Sequence, residues 1–166
     1  MLDIPVVGLS EATFHSAYTL GQRIMIICLT SRHRAWYGES AEAAGLRDRI
    51  VNLRALPVAV RNISTVVEDL ADPLCEECKR AVEEDRAEVV ILGGGPTAGL
   101  ARKISDQVPV PLLDGVSCAV QSSHRAEADF CVRTRSRRKD SPPRSQPISK
   151  VEHTVFDVAQ AAAILP

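Results

Sequence analysis

An open α/β fold of flavodoxin-like type, a parallel sheet with helices on both faces, is predicted by three observations. Short apolar runs of strand length recur along the chain. Longer stretches with helical spacing of apolar residues separate them. Two of the runs are almost continuously apolar, as strands covered on both faces must be. Alternation of this kind is the signature of βαβ units, whose right-handed crossovers place helices on both faces.

Taken in order, Ile4-Pro5-Val6-Val7-Gly8-Leu9 is a short apolar run ending at Ser10, a plausible N-cap with Glu11 behind it. Residues 11–20 carry Ala12, Phe14, Ala17, Tyr18 and Leu20 at helical spacing, and Gly21 ends the helix. Ile24-Met25-Ile26-Ile27-Cys28-Leu29 reads as a buried strand. A helix over 32–44 stops at Gly45, and Val51-Asn52-Leu53-Arg54-Ala55-Leu56 alternates like a strand. The acidic stretch 64–86 is helical, with Pro73 as a break or a helix start. Glu88-Val89-Val90-Ile91-Leu92 is a second buried strand opening into Gly93-Gly94-Gly95-Pro96-Thr97, and a helix follows from Ala98 to Ile104. Val110-Pro111-Leu112-Leu113 makes a short strand, and Asp114-Gly115 begins a last helix through Val120.

The chain has 166 residues, 45% apolar and 25% charged, with a net charge of -1. That is ordinary for one globular domain and excludes collagen, coiled coil and wholly disordered classes. No run approaches the roughly 18 apolar residues of a membrane span. Met1-Leu2-Asp3-Ile4-Pro5 has neither the basic nor the apolar region of a signal peptide, so a cytoplasmic location is expected. Charge is uneven: residues 122–150 hold 8 basic and 3 acidic side chains, with Pro142-Pro143 and Pro147. The segment 122–166 therefore reads as a basic, disordered tail, and without stacking residues it does not indicate nucleic acid. The five cysteines, Cys28, Cys75, Cys78, Cys118 and Cys131, are odd in number and read as reduced thiols. Cys75-Glu-Glu-Cys78 has CxxC spacing but lies in a helical pattern without a second ligand pair, so both are read as helix-surface cysteines and no metal is expected.

In open α/β sheets, ligands bind beyond the carboxyl ends of the strands. Those ends bring forward Ser10 and Glu11, then Cys28, then the loop of Gly94, Gly95 and Thr97 as substrate-binding candidates. The glycines let a ligand approach the backbone, and a helix starting near Thr97 would aim free N–H groups at a carboxylate or phosphate. A tight turn relieved by glycine is the alternative. The loop matches neither G-x-G-x-x-G nor the P-loop, since Leu100 follows Gly99. Cys28 at a strand end is either an activated thiol or a packed core residue. His15 and His33 are acid–base candidates or plain surface histidines.

Several segments resemble the aspartate/glutamate/hydantoin racemase superfamily, closest to its hydantoin racemase branch. They are Asp3-Ile4-Pro5-Val6-Val7-Gly8 with Ser10-Glu11-Ala12, Ile26-Ile27-Cys28-Leu29-Thr30 with Arg34-Ala35-Trp36-Tyr37, and Ala81-Val82-Glu83-Glu84-Asp85 with Ala87-Glu88-Val89-Val90-Ile91-Leu92-Gly93. Ala98-Gly99-Leu100-Ala101 and Val110-Pro111 with Asp114-Gly115-Val116 complete the series. The resemblance implies cofactor-independent racemisation of a hydantoin or amino-acid-like small-molecule substrate, with two thiols on opposite faces of the α-carbon. It also implies a two-lobed fold with the site between lobes. Residues 22–121 would supply one lobe with a four-stranded sheet, and residues 1–21 a remnant strand and helix beside a missing first lobe. That lobe would carry the family's first cysteine, and a partner chain or homo-oligomer could supply it. Gly94 occupies the position of the second cysteine, leaving Cys28 or Cys118 as substitutes. A catalytically inactive small-carboxylate-binding lobe is the alternative.

Overall fold

The computed structural model describes residues 6–56 and 66–137. Contacts group Met1–Glu127 into one compact unit and Ala128–Pro166 into another. The first unit contains α1 (Leu9–Leu20), β1 (Ile24–Cys28), α2 (Ser31–Ala43), β2 (Ile50–Ala55), α3 (Val66–Asp69), α4 (Ala71–Asp85), β3 (Val89–Gly93), α5 (Leu100–Ile104) and β4 (Leu112–Asp114). It also contains the first part of α6 (Gly115–Arg137). The four strands pair in parallel in the order β2-β1-β3-β4.

Strand alternation divides the core into two layers, since successive side chains point to opposite faces. Ile24, Ile26 and Cys28 of β1 pack with Val89 and Ile91 of β3 under Phe14 and Ala17 of α1 and Ala41 of α2. Met25 and Ile27 with Val90 and Leu92 face the other way, onto Leu74, Cys75, Cys78 and Ala81 of α4 and Leu100 and Ile104 of α5. This is the predicted α/β sheet with helices on both faces. The core face of α4 recurs at helical spacing, and Pro73 sits in its first turn, where no intrahelical N–H is needed. At its other end Arg86 adopts a left-handed conformation. The Arg23 guanidinium donates there to Asp85 O and Arg86 O at 2.9 and 3.0 Å, placing a cation on the helix's negative end.

Some boundaries differ from the sequence reading. The first helix starts at Leu9 with Gly8 as its N-cap and no side-chain cap, so Ser10 lies inside the first turn. Val6 and Val7 belong to no strand, while residues 1–5 lie outside the described residues. Cys75 and Cys78 are core rather than surface residues, at 3% and 0% exposure. α4 buries the stripe that contains both. The last helix runs on to Arg137, well past Gln121. Composition registers how a segment is solvated, whereas a helix satisfies its own backbone groups without an apolar face. The remainder of the basic segment, 138–166, lies outside the described residues. Among the described residues no helix is long and apolar enough to cross a membrane.

Candidate functional site

The chain leaves β1 for β2 on one side and then crosses back over β1 to β3 and on to β4, so the connections that leave the carboxyl ends of the adjacent strands β1 and β3 run in opposite directions. Such a switch point leaves a crevice. A cleft of about 210 Å³ opens there. α1 contributes Ser10 and Thr13, α2 contributes His33, Trp36 and Tyr37, and the turn after β3 contributes Gly94 and Gly95. Gly115 and Val116 at the start of α6 close the fourth side. A larger groove of about 540 Å³ lies over edge strand β2 between Arg34 and Arg47, but it is more open and draws on two main elements only.

Tyr37 organises the floor of the cleft. Its ring lies over Gly93, where a Cβ would meet Tyr37 Cε2 at 2.7 Å. Its hydroxyl oxygen accepts the Gly94 N–H at 3.0 Å, and Trp36 packs edge-on against it with ring centroids 4.9 Å apart. Burial pushes the phenol above its usual pKa, against the lowering effect of the Gly94 N–H and with a smaller rise from Cys28. Gly94 itself has φ +119, backbone that a side chain occupies only under strain.

The sequence-predicted residues fall into different places. Ser10, Gly94 and Gly95 line the cleft. Glu11 is exposed, its carboxylate turned back against Gly8. Thr97 is fully buried, with Oγ1 2.6 Å from Gly94 O and 3.1 Å from Leu92 O, so its hydroxyl proton is used inside the turn. The other N–H groups of the turn are similarly engaged: Thr97 N donates to Gly94 O, Ala98 N to Gly95 O and Gly99 N to the Asp114 carboxylate. Asp114, 2% exposed, also accepts from Ser117 N at 2.8 Å and so caps α6. The place expected for a ligand anion at the following helix is therefore held by a carboxylate of the chain itself. Pro96 has no N–H, which leaves Gly95 N–H as the turn's remaining donor among the described residues.

Cys28 is fully buried beneath this floor, and burial pushes its thiol up to about 12, with Arg34 lowering it less. A thiol reagent at pH 8 is therefore expected to label Cys28 only after denaturant is added. Labelling of the folded chain, mapped by mass spectrometry, would contradict this placement. Cys118 is 4% exposed and does not line the cleft. His33 lines the cleft and is exposed, whereas His15 lies on the exposed side of α1 with Nδ1 2.8 Å from Glu11 O. Trp36, Tyr37 and Thr13 were not among the predicted site residues. The available signal was two consecutive aromatics, in a chain with 4% aromatics, one helical turn after His33.

A family model of Asp/Glu/hydantoin racemases matches residues 1–123. Hydantoin racemase from Pseudomonas sp. (strain NS671) is 32% identical over 119 residues, covering 72% of this chain and 48% of that protein. Hydantoin racemase from Paenarthrobacter aurescens is 30% identical, covering 72% and 50%. The chain thus spans about half the length of the curated relatives it matches. Among solved structures, allantoin racemase from Pseudomonas fluorescens superposes with a TM-score of 0.66 at 29% identity, over 89% of this chain and 63% of that one. Allantoin racemase from Klebsiella pneumoniae gives 0.68 at 28% identity, over 76% and 53%.

Proposed function

The chain belongs to the Asp/Glu/hydantoin racemase family, and on that premise we propose that its cleft binds a hydantoin- or amino-acid-like small molecule without racemising it unaided. The observation that carries this reading is the lining: among the described residues no thiol faces the cleft, and Gly94 stands where the family resemblance puts a cysteine. Racemisation by proton abstraction and return needs an acid–base group on each face of the α-carbon, each tuned near working pH. His33 offers one imidazole on one side. A second group would have to come from residues outside the described ones or from a partner chain. What remains is a binding site with backbone access at Gly94 and Gly95, hydroxyls on Ser10 and Tyr37, and the exposed Trp36 indole beside them, while the Thr13 hydroxyl donates to Leu9 O at 2.7 Å within α1.

The test titrates the full chain with a 5-substituted hydantoin and with allantoin, following backbone amides by NMR, and measures α-carbon deuterium uptake in D₂O. Shifts centred on Gly94, Gly95 and Val116 with uptake at the buffer rate are expected. Uptake above that rate, or loss of optical rotation, restores the racemase reading. No binding of either compound overturns the binding reading.

A further inference from the structure

The geometry points to Tyr37 as the residue that selects the ligand, by donating its hydroxyl proton to a carbonyl or carboxylate oxygen in the cleft. This rests on the binding reading above and adds to it the group that recognises the ligand. A phenol hydroxyl has one donor and two acceptor positions. Gly94 N–H fills an acceptor position at 3.0 Å. Among the described residues no group accepts the Tyr37 proton, and the half-buried side chain lines the cleft. The donor is therefore left for an acceptor that enters from outside.

Its direction is set in advance. The ring is held over Gly93 on one side, where a Cβ would come within 2.7 Å, and against Trp36 on another. The hydroxyl oxygen is tethered by the Gly94 amide. A donor fixed this way loses little freedom when a ligand arrives, so its hydrogen bond contributes to selection rather than being spent on ordering the side chain. A phenol is protonated at neutral pH, and burial raises its pKa further against the lowering effect of the Gly94 N–H, so the donor is present there. Ligands lacking a strong oxygen acceptor at that point leave the hydroxyl unsatisfied in a part-buried site, and are rejected on that account.

Tyr37→Phe keeps the ring over Gly93 and removes only the hydroxyl. In the full chain, its affinity for hydantoin is expected to fall about tenfold, the size of one hydrogen bond. Affinity for 2,4-dithiohydantoin, whose sulfur atoms are poor acceptors, is expected to be the same in both proteins. If wild type binds neither compound, the binding reading and this assignment fall together. If wild type and Tyr37→Phe bind hydantoin equally, only the assignment falls. An equal loss for both ligands reduces Tyr37 to a shape role and also overturns it. A second measurement keeps the Tyr37 hydroxyl in place: in a Tyr18→Phe background, Tyr37 is the remaining tyrosine. Saturating hydantoin is expected to raise its spectrophotometric ionisation midpoint, because a donated hydrogen bond favours the neutral phenol. An unchanged or lowered midpoint counts against the assignment.

Discussion

Phe14→Ala is expected to lower the unfolding free energy by about 3–5 kcal/mol, the usual range for removing a buried aromatic. Phe14 is 1% exposed and is the large side chain by which α1 reaches the sheet, packing with Ile24, Ile26, Val89 and Ile91. The other buried positions of α1, Ala12, Thr13 and Ala17, are small. They neither fill the cavity left by the ring nor hold the helix in place without it. Because α1 also carries Ser10 and Thr13 into the cleft, the variant should lose ligand-induced shifts at Gly94 and Gly95 along with stability. Urea denaturation of both proteins measures the first effect and the NMR titration the second. A loss below about 0.5 kcal/mol, the scale of an ordinary surface change, would mean that α1 is not anchored as described.

Gly93→Ala has the next largest expected effect, about 1–3 kcal/mol of destabilisation from overpacking. The new methyl would lie 2.7 Å from Tyr37 Cε2 and 3.0 Å from Cζ. β3 cannot yield, since it is hydrogen-bonded to β1 on one side and β4 on the other. Relief must come from the Tyr37 ring, which then releases the Gly94 amide and deforms the floor of the cleft. A double-mutant cycle isolates this coupling. With Tyr37→Ala already in place, most of the cost of Gly93→Ala should vanish. Additive losses would show that the crowding lies elsewhere on the strand.

The fold was largely legible because hydrophobic periodicity is a local property. The runs at 24–29, 51–56, 88–92 and 110–113 correspond to the four strands, and the helix stops at Gly21 and Gly45 follow from residues at those positions. Short-range details were less legible. Ser10 has the composition of an N-cap, yet the helix begins at Leu9, directly after Gly8, because Ala12 N–H already bonds Gly8 O at 3.0 Å. The reading of Cys75 and Cys78 as surface residues failed because CxxC spacing is equally compatible with either face of α4.

The candidate site was legible only in part. Strand ends point to Gly94 and Gly95 from sequence alone, since three glycines after a buried strand mark close backbone approach. The fate of each donor in that loop was not visible. Thr97 looks like a ligand-facing hydroxyl until the turn closes on it, and Asp114 looks like a helix start until its carboxylate also meets Gly99 N. Tyr37 and Gly93 lie far apart along the chain and become one structural unit only when α2 packs on β1 and β2 and its Tyr37 side chain reaches the end of β3.

The sequence by itself determined the layer order, the parallel sheet and the family, because each depends on patterns read within one element or on motifs in succession. Tertiary structure decided which polar groups remain available to a ligand. A hydroxyl or an amide is identical in sequence whether it is spent or free, and only packing between distant elements supplies or withholds its partner. That is why Thr97 and Cys28 are enclosed while Tyr37 still carries an unspent proton.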